Sequence, residues 1–299
     1  MKYFLFSTKS NPGLAMKLIE KAPCLVEGKC LISHYKDGEI LVHIDENIKG
    51  RKVFVLGSTF PPAENTLELI ILINTLKENG AKKIIVLMPY FGYGKQDKMK
   101  YSGDAMSAKL MANIIDLAGA DKIIALDLYS EMAGSYFKKL KHLSAVDTLA
   151  AYFKNIGLKK TVIISPDKGG IERAKRFASC LKIKKIVVIE KYRPKVDENK
   201  VIKIKGRVKG RNIIIVDDMT QTGGTLIESA KALKKEGAGD IYIALTHIVP
   251  TGPAIKNLEK EKNIKKIVVT DSIKLPASLY KSKKFKIISC VDVFANNLK

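Results

Sequence analysis

Ile213-Ile214-Ile215-Val216-Asp217-Asp218-Met219-Thr220-Gln221-Thr222-Gly223-Gly224-Thr225 is the stretch on which the reading of this chain turns. Four consecutive β-branched residues are apolar on both faces, as in a strand buried within a parallel sheet. Two carboxylates end the run, and a turn with two glycines leads into a helix that begins near Thr225. Glycines let backbone approach an anion, and the free N–H groups of a helix start favour a phosphate. The hydroxyls of Thr222 and Thr225 add donors, while ionised Asp217 and Asp218 would accept hydrogen bonds from the hydroxyls of a ribose. The plain alternative is a tight strand-to-helix turn. It leaves two adjacent carboxylates to repel each other without a ligand.

The grammar repeats outward from this point. Residues 53–56, 83–88 and 123–126 read as buried strands, with a helix capped by Asn65 or Thr66 and stopped at Gly80. The second half adds strands at 161–164, 186–189, 212–216 and 241–245, and helices near 170–178 and 225–236. Strands apolar on both faces and separated by helices predict an α/β protein with two mostly parallel sheets flanked by helices. The boundary is placed at 145/146, giving domains of residues 1–145 and 146–299. One segment departs from this pattern. In residues 202–211 the odd positions are Lys203, Lys205, Arg207, Lys209 and Arg211, and the even ones are Ile, Val or Gly. Period two with one basic face predicts a half-exposed edge strand guarded by lysine; contact with phosphate or nucleic acid is the second reading.

The 299 residues carry 53 Lys and Arg against 30 Asp and Glu, a net charge of +23. Residues 1–150 account for +4 and residues 151–299 for +19. Such a balance points to an anionic partner. No helix-turn-helix or RNP pattern is present and tryptophan is absent, so nucleic acid is disfavoured and phosphorylated small molecules are preferred. Cys24, Cys30, Cys180 and Cys290 are widely spaced, which excludes a disulfide framework or a Cys/His zinc site. No apolar run approaches the roughly 20 residues that span a bilayer. A cytoplasmic protein without a membrane partner is expected.

Three further stretches carry chemistry. Ser165-Pro166-Asp167-Lys168-Gly169-Gly170 follows a strand and opens a helix, an anion-binding turn of the same design as the first. Lys191-Tyr192-Arg193-Pro194 follows the strand at 186–189, and the i, i+2 spacing aims both cations one way from an extended segment. Tyr93-Gly94-Lys95-Gln96-Asp97 lies beyond the strand at 83–88, where α/β sheets present ligands.

Together these stretches resemble the ribose-phosphate pyrophosphokinase (PRPP synthetase) family of the phosphoribosyltransferase-like superfamily. The resemblance spans nearly the whole chain and includes Tyr35-Lys36-Asp37-Gly38-Glu39, Gly57-Ser58-Thr59-Phe60-Pro61-Pro62, Pro89-Tyr90-Phe91-Gly92, Ser107-Ala108-Lys109-Leu110 and Thr246-His247. It implies two phosphoribosyltransferase-like domains and transfer of the β,γ-pyrophosphoryl group of ATP to the 1-hydroxyl of ribose 5-phosphate, with Mg2+. By this resemblance Lys191 and Arg193 are the catalytic cations. Asp217, Asp218, Gln221, Thr222, Gly223, Gly224 and Thr225, with Arg193, bind ribose 5-phosphate. Asp167, Lys168, Gly169 and Gly170 form the pyrophosphate loop. Tyr35, Asp37, Glu39, Lys95, Gln96 and Asp97 bind ATP, at a site shared between subunits of a homo-oligomer. Asp167 and Asp127 meet the metal.

Three positions depart from the family pattern. Lys95 stands where Arg is usual, replacing a bidentate phosphate grip by a point charge. Gln221 replaces an acid. Tyr129, in Asp127-Leu128-Tyr129, takes the place of a histidine metal ligand, and a neutral phenol is a poor ligand for Mg2+. The last departure leaves a second reading open: a catalytically silent regulatory or nucleic-acid-binding protein on the same scaffold.

Overall fold

The computed structural model describes residues 2–192 and 201–298, with positions 191, 192, 201 and 202 described by backbone only. Two units make up the chain. The first holds the residues through Ser144, Ser272–Lys274 and the residues from Ser289 on; the second holds Ala145–Asp271 and Leu275–Ile288.

In the first unit β1 (Tyr3–Ser7), α1 (Pro12–Lys21), β2 (Leu25–Glu27), β3 (Cys30–His34), β4 (Ile40–Ile44), β5 (Lys52–Leu56) and α2 (Glu64–Glu78) come first. Then follow β6 (Lys83–Met88), α3 (Ser107–Ala118), β7 (Lys122–Leu126), α4 (Glu131–Ser135) and β8 (Leu140–Leu143). A parallel sheet of order β2-β1-β5-β6-β7-β8 forms the centre, and β3 and β4 make a separate antiparallel hairpin. Val53, Phe54, Val55 and Leu56 are fully buried, as a strand covered on both faces requires. The hairpin is not an orphan, because Ile32, Ile40, Val42 and Ile44 pack into the cluster that holds Leu69, Leu72 and Ile73 of α2.

The second unit runs α5 (Val146–Ile156), β9 (Thr161–Ser165), α6 (Ile171–Cys180), β10 (Ile186–Tyr192), β11 (Val201–Lys205), β12 (Asn212–Thr220) and α7 (Gly224–Lys235). It continues with β13 (Ile241–Ile248), α8 (Ala254–Lys260), β14 (Lys266–Thr270), α9 (Ala277–Lys281) and β15 (Phe285–Ile288). Its sheet has the order β11-β10-β9-β12-β13-β14-β15, parallel throughout except for the antiparallel edge strand β11. The expected α/β architecture with parallel sheets is thus present in both units. The last helix, α10 (Val291–Ala295), belongs to the first unit: it packs on α1, and Lys21 Nζ lies 2.8 Å from Asp292 Oδ1.

Several local expectations shift. Helix α2 starts at Glu64 with no side-chain cap, because Asn65 turns back to donate to the Phe60 carbonyl at 2.8 Å. Thr66, the other expected cap, has its buried hydroxyl unpartnered. Strand β12 does not stop before the acids but continues through them to Thr220, since Met219 and Thr220 still pair with β13. The basic edge strand is shorter than its alternation. Pairing with β10 ends at Lys205, and Gly206, at φ +146°, folds onto Val187 where a Cβ would come within 2.4 Å of Cγ2.

Candidate active site

Strand β12 delivers the acids. Ile213, Ile214, Ile215 and Val216 are buried between β9 and β13, and Asp217 and Asp218 follow at the carboxyl end of the sheet, where helices begin and ligands bind. Asp217 Oδ1 accepts from the Asp218 amide at 2.9 Å, and Asp218 Oδ1 accepts from the Met219 amide at 2.8 Å. A cation from another element holds the pair. Arg173 of α6 places NH1 3.4 Å from Asp217 Oδ1 and NH2 3.2 Å from Asp218 Oδ2. Burial, with the Asp218 charge beside it, pushes the Asp217 carboxyl well above the usual carboxylate range, against the pull of Arg173.

The turn beyond is built for a close approach of backbone. Gly223 has φ +75°, and its amide donates to the Thr220 hydroxyl at 3.2 Å. A Cβ on Gly223 would come within 2.7 Å of Leu258 Cγ, so glycine is required twice over. The Thr222 hydroxyl accepts from the Gly224 amide at 3.3 Å, and no side chain caps α7. A twelve-residue helix therefore presents its positive end beside two carboxylates.

The second anion turn joins the first through Arg173. Asp167 Oδ1 accepts from the Gly170 amide at 3.0 Å, and the Ser165 hydroxyl donates to the Asp167 carbonyl at 2.7 Å. Gly170 fits because a Cβ there would sit 2.8 Å from Ser165 Oγ. Lys168 pairs with Glu190 of β10 at 3.3 Å, and Lys205 meets the other oxygen of that carboxylate at 2.9 Å. Lys191 lies within β10 rather than beyond it; Arg193 lies outside the described residues.

In the first unit the Tyr93–Asp97 stretch follows β6. Thr59 Oγ1 accepts from the Gly92 amide at 2.7 Å, and Gly92 cannot carry a Cβ, which would lie 2.0 Å from the Thr59 carbonyl oxygen. Asp97 is buried and turned inward, accepting from the Ser130 hydroxyl at 2.6 Å, while Tyr136 donates to its carbonyl at 2.5 Å. Gln96 accepts from the Ser107 hydroxyl at 2.8 Å, and the Lys95 side chain is exposed. Asp127 is buried with φ +37°, and Tyr129, 46% exposed, stands beside Gly94. Gln96 and Asp97 are thus held to Ser107 and Ser130, and Tyr129 lies against Gly94 of the same stretch. Tyr35, Asp37 and Glu39 occupy the hairpin tip, whose hydrogen bonds are internal: Tyr35 N to Glu39 O at 2.8 Å and Glu39 N to Asp37 Oδ1 at 3.1 Å. Tyr35 is 56% exposed there.

Sequence reasoning missed Arg173, Ser130 and Thr59. Arg173 had a signal: it is one of six arginines and sits three residues after Gly170, on the helix the turn opens. Among the described residues no three His, Cys, Asp or Glu side chains gather as a metal site. Asp127 and Asp167 each carry a single carboxylate, the hard oxygen donor that magnesium takes beside waters and substrate phosphates.

Two parallel α/β units, one carrying paired acids and a Thr-Gly-Gly-Thr helix start, define a protein of the phosphoribosyltransferase type. The family model of the N-terminal domain of ribose phosphate pyrophosphokinase matches residues 3–119, and that of the phosphoribosyl transferase domain matches residues 133–280. Ribose-phosphate pyrophosphokinase of Fusobacterium nucleatum is 42% identical over 296 residues, covering 98% of this chain and 92% of that protein. That of Bacillus caldolyticus is 42% identical over 274 residues, covering 91% and 86%. The crystal structure of phosphoribosylpyrophosphate synthetase from Mycobacterium smegmatis matches with a TM-score of 0.91 at 29% identity, covering 99% of this chain and 97% of that one. The chain belongs to the ribose-phosphate pyrophosphokinase family.

Proposed function

We propose that the chain transfers the pyrophosphoryl group of ATP to the 1-hydroxyl of ribose 5-phosphate, releasing AMP and PRPP. The observation that carries this is the Asp217–Asp218 pair, held by Arg173 beside the uncapped start of α7. The ribose 2- and 3-hydroxyls donate to the two carboxylates, and the 5-phosphate accepts from the amides and hydroxyls of residues 221–225. That grip fixes the 1-hydroxyl for attack on the β-phosphorus. The bond from β-phosphorus to the α,β-bridging oxygen breaks, and AMP leaves with that oxygen. Lys191 and Arg193 stabilise the charge that gathers on the transferred group. Lys95 holds the triphosphate with Gln96 and Asp97 beside the nucleotide, Ser130 steadies Asp97, and Tyr35, Asp37 and Glu39 bind the adenine of a neighbouring subunit's ATP. Asp127 and Asp167 would each offer a carboxylate to magnesium, which would supply charge neutralisation on the triphosphate. No helix among the described residues is long and apolar enough to cross a membrane.

The identity to curated ribose-phosphate pyrophosphokinases, 38–42% over most of the chain, supports the enzyme over the silent scaffold. AMP formation from ATP, followed with and without ribose 5-phosphate and with and without Mg2+, tests the proposal. Turnover that needs both additions is expected; ATP breakdown indifferent to ribose 5-phosphate overturns it.

A further inference from the structure

The catalytic loops use the carboxyl ends of β9, β10 and β12. The other ends of the same strands are served by residues 157–161, 181–186 and 205–212, which hold nine Lys and Arg and no Asp or Glu. The parallel pairing of β9 with β10 and β12 and the antiparallel return of β11 bring these three segments to one edge of the sheet. They enclose a cavity of about 500 Å³, with Lys185, Arg207 and Arg211 around it and Val162, Ile183 and Val187 among its walls. Lys205 also lines it but is engaged by Glu190 at 2.9 Å. Lys185, Arg207 and Arg211 have no carboxylate at ion-pair distance among the described residues. Gly206, pressed onto Val187, ends the pairing of the edge strand at Lys205, and Gly206 and Val187 both line the cavity with Arg207.

We propose that this cavity is a binding site for a condensed-phosphate anion, an inorganic oligophosphate or the phosphate tail of a nucleotide, separate from the catalytic loops by the length of the strands. A five-residue strand puts that separation at about 15 Å. The chemistry is that of the lining. Guanidinium groups grip phosphate oxygens bidentately, and an excess of unneutralised cations favours a multiply charged anion over a single phosphate. The volume lies in the range of small-ligand sites. A nucleic-acid strand fits less well, because the three segments contain no aromatic side chain for bases to stack on. The site also gives a use to Arg207 and Arg211 of the basic alternation, which the catalytic assignment leaves unused.

The test is calorimetric titration of the full chain with tripolyphosphate, with inorganic phosphate, and with ATP. Arg207→Gln/Arg211→Gln and Arg207→Glu/Arg211→Glu variants are titrated alongside, and Lys95→Gln serves as the catalytic-site control. Saturable tripolyphosphate binding that persists in Lys95→Gln and weakens about 100-fold in the Gln pair, about tenfold per guanidinium, is expected. Both arginines are exposed, so the Gln pair should melt no lower than the parent. Equal affinity for tripolyphosphate and for an added second equivalent of ATP assigns the site to condensed phosphate itself. Tighter ATP binding that is lost in the same variants assigns it to a nucleotide resting on the apolar wall. Unchanged tripolyphosphate affinity in both Arg pairs overturns the proposal. So does equal affinity for inorganic phosphate, or binding of an RNA oligonucleotide that tripolyphosphate does not displace.

Discussion

Replacing Arg173 by glutamine keeps most of its packing and removes one charge. Its side chain is 19% exposed and the carboxylates it bridges 12% and 14%, so water replaces it poorly. At contacts of 3.4 and 3.2 Å, an effective dielectric of about 20 gives roughly 5 kcal/mol of attraction per pair. Desolvation offsets much of that gain, and stranding nearly buried charges typically costs about 3–5 kcal/mol. The folded variant relieves part of the strain by protonating Asp217, whose carboxyl already sits well above its ordinary value because of burial and the Asp218 charge. We therefore expect a loss of about 3 kcal/mol at pH 8. The pH dependence has a definite sign. Between the unfolded and folded values of a raised carboxyl, the folded state holds a proton that the unfolded chain lacks, so stability falls as pH rises through that window. Removing Arg173 lifts the folded value further, so the deficit should shrink as pH is lowered from 8 towards 5. Urea unfolding of the ligand-free chain, followed by far-UV circular dichroism because tryptophan is absent, measures both numbers. A variant with the parent's midpoint at both pH values would refute the role given to Arg173 as the cation that keeps the acids together. In a variant that does fold, ribose 5-phosphate should bind more weakly, since a protonated Asp217 has lost much of its accepting power.

Gly223→Ala forces a Cβ into a left-handed turn and against Leu258, and should lower stability by about 1–3 kcal/mol and weaken ribose 5-phosphate binding; thermal melting and the KM for ribose 5-phosphate check it. Lys191→Ala should cut AMP formation about 100-fold or more with an unchanged unfolding midpoint, as expected for a cation that acts on the transition state; steady-state rates beside a melting curve decide. Tyr129→His should lower the magnesium concentration needed for half-maximal rate, since imidazole is a better ligand than a neutral phenol; a magnesium titration of turnover reads the shift. Ser130→Ala removes the 2.6 Å donor to the buried Asp97 and should raise the KM for ATP by disordering the loop of Lys95, with ribose 5-phosphate binding unaffected.

The sheets were legible because runs such as Ile213-Ile214-Ile215-Val216 are apolar on both faces whatever their partners. The two anion turns were legible because glycine pairs, acids and hydroxyls stand adjacent in the chain. What escaped depends on partners distant in sequence. Arg173 looks like an ordinary helical residue until β9 and β12 lie side by side and its reach spans both acids. Nothing near Asp97 in the chain announces its hydrogen bond from Ser130, which stands 33 residues further on. Asn65 looks like a cap until the Phe60 carbonyl claims its amide. The alternation at 202–211 promised a longer strand, and the steric demand at Val187 ended it at Gly206.

Helix α10 rests on α1 although the whole second unit separates them in the chain, and Phe294 is fully buried there. During synthesis the first unit emerges early, yet the surface that α10 covers stays bare until the residues from Ser289 on have left the ribosome. Its completion thus waits on the second unit's synthesis. A ribosome stalled inside the second unit would hold a first unit with that surface open to chaperones and proteases, and clipping near residue 289 would be felt at the opposite end of the sequence.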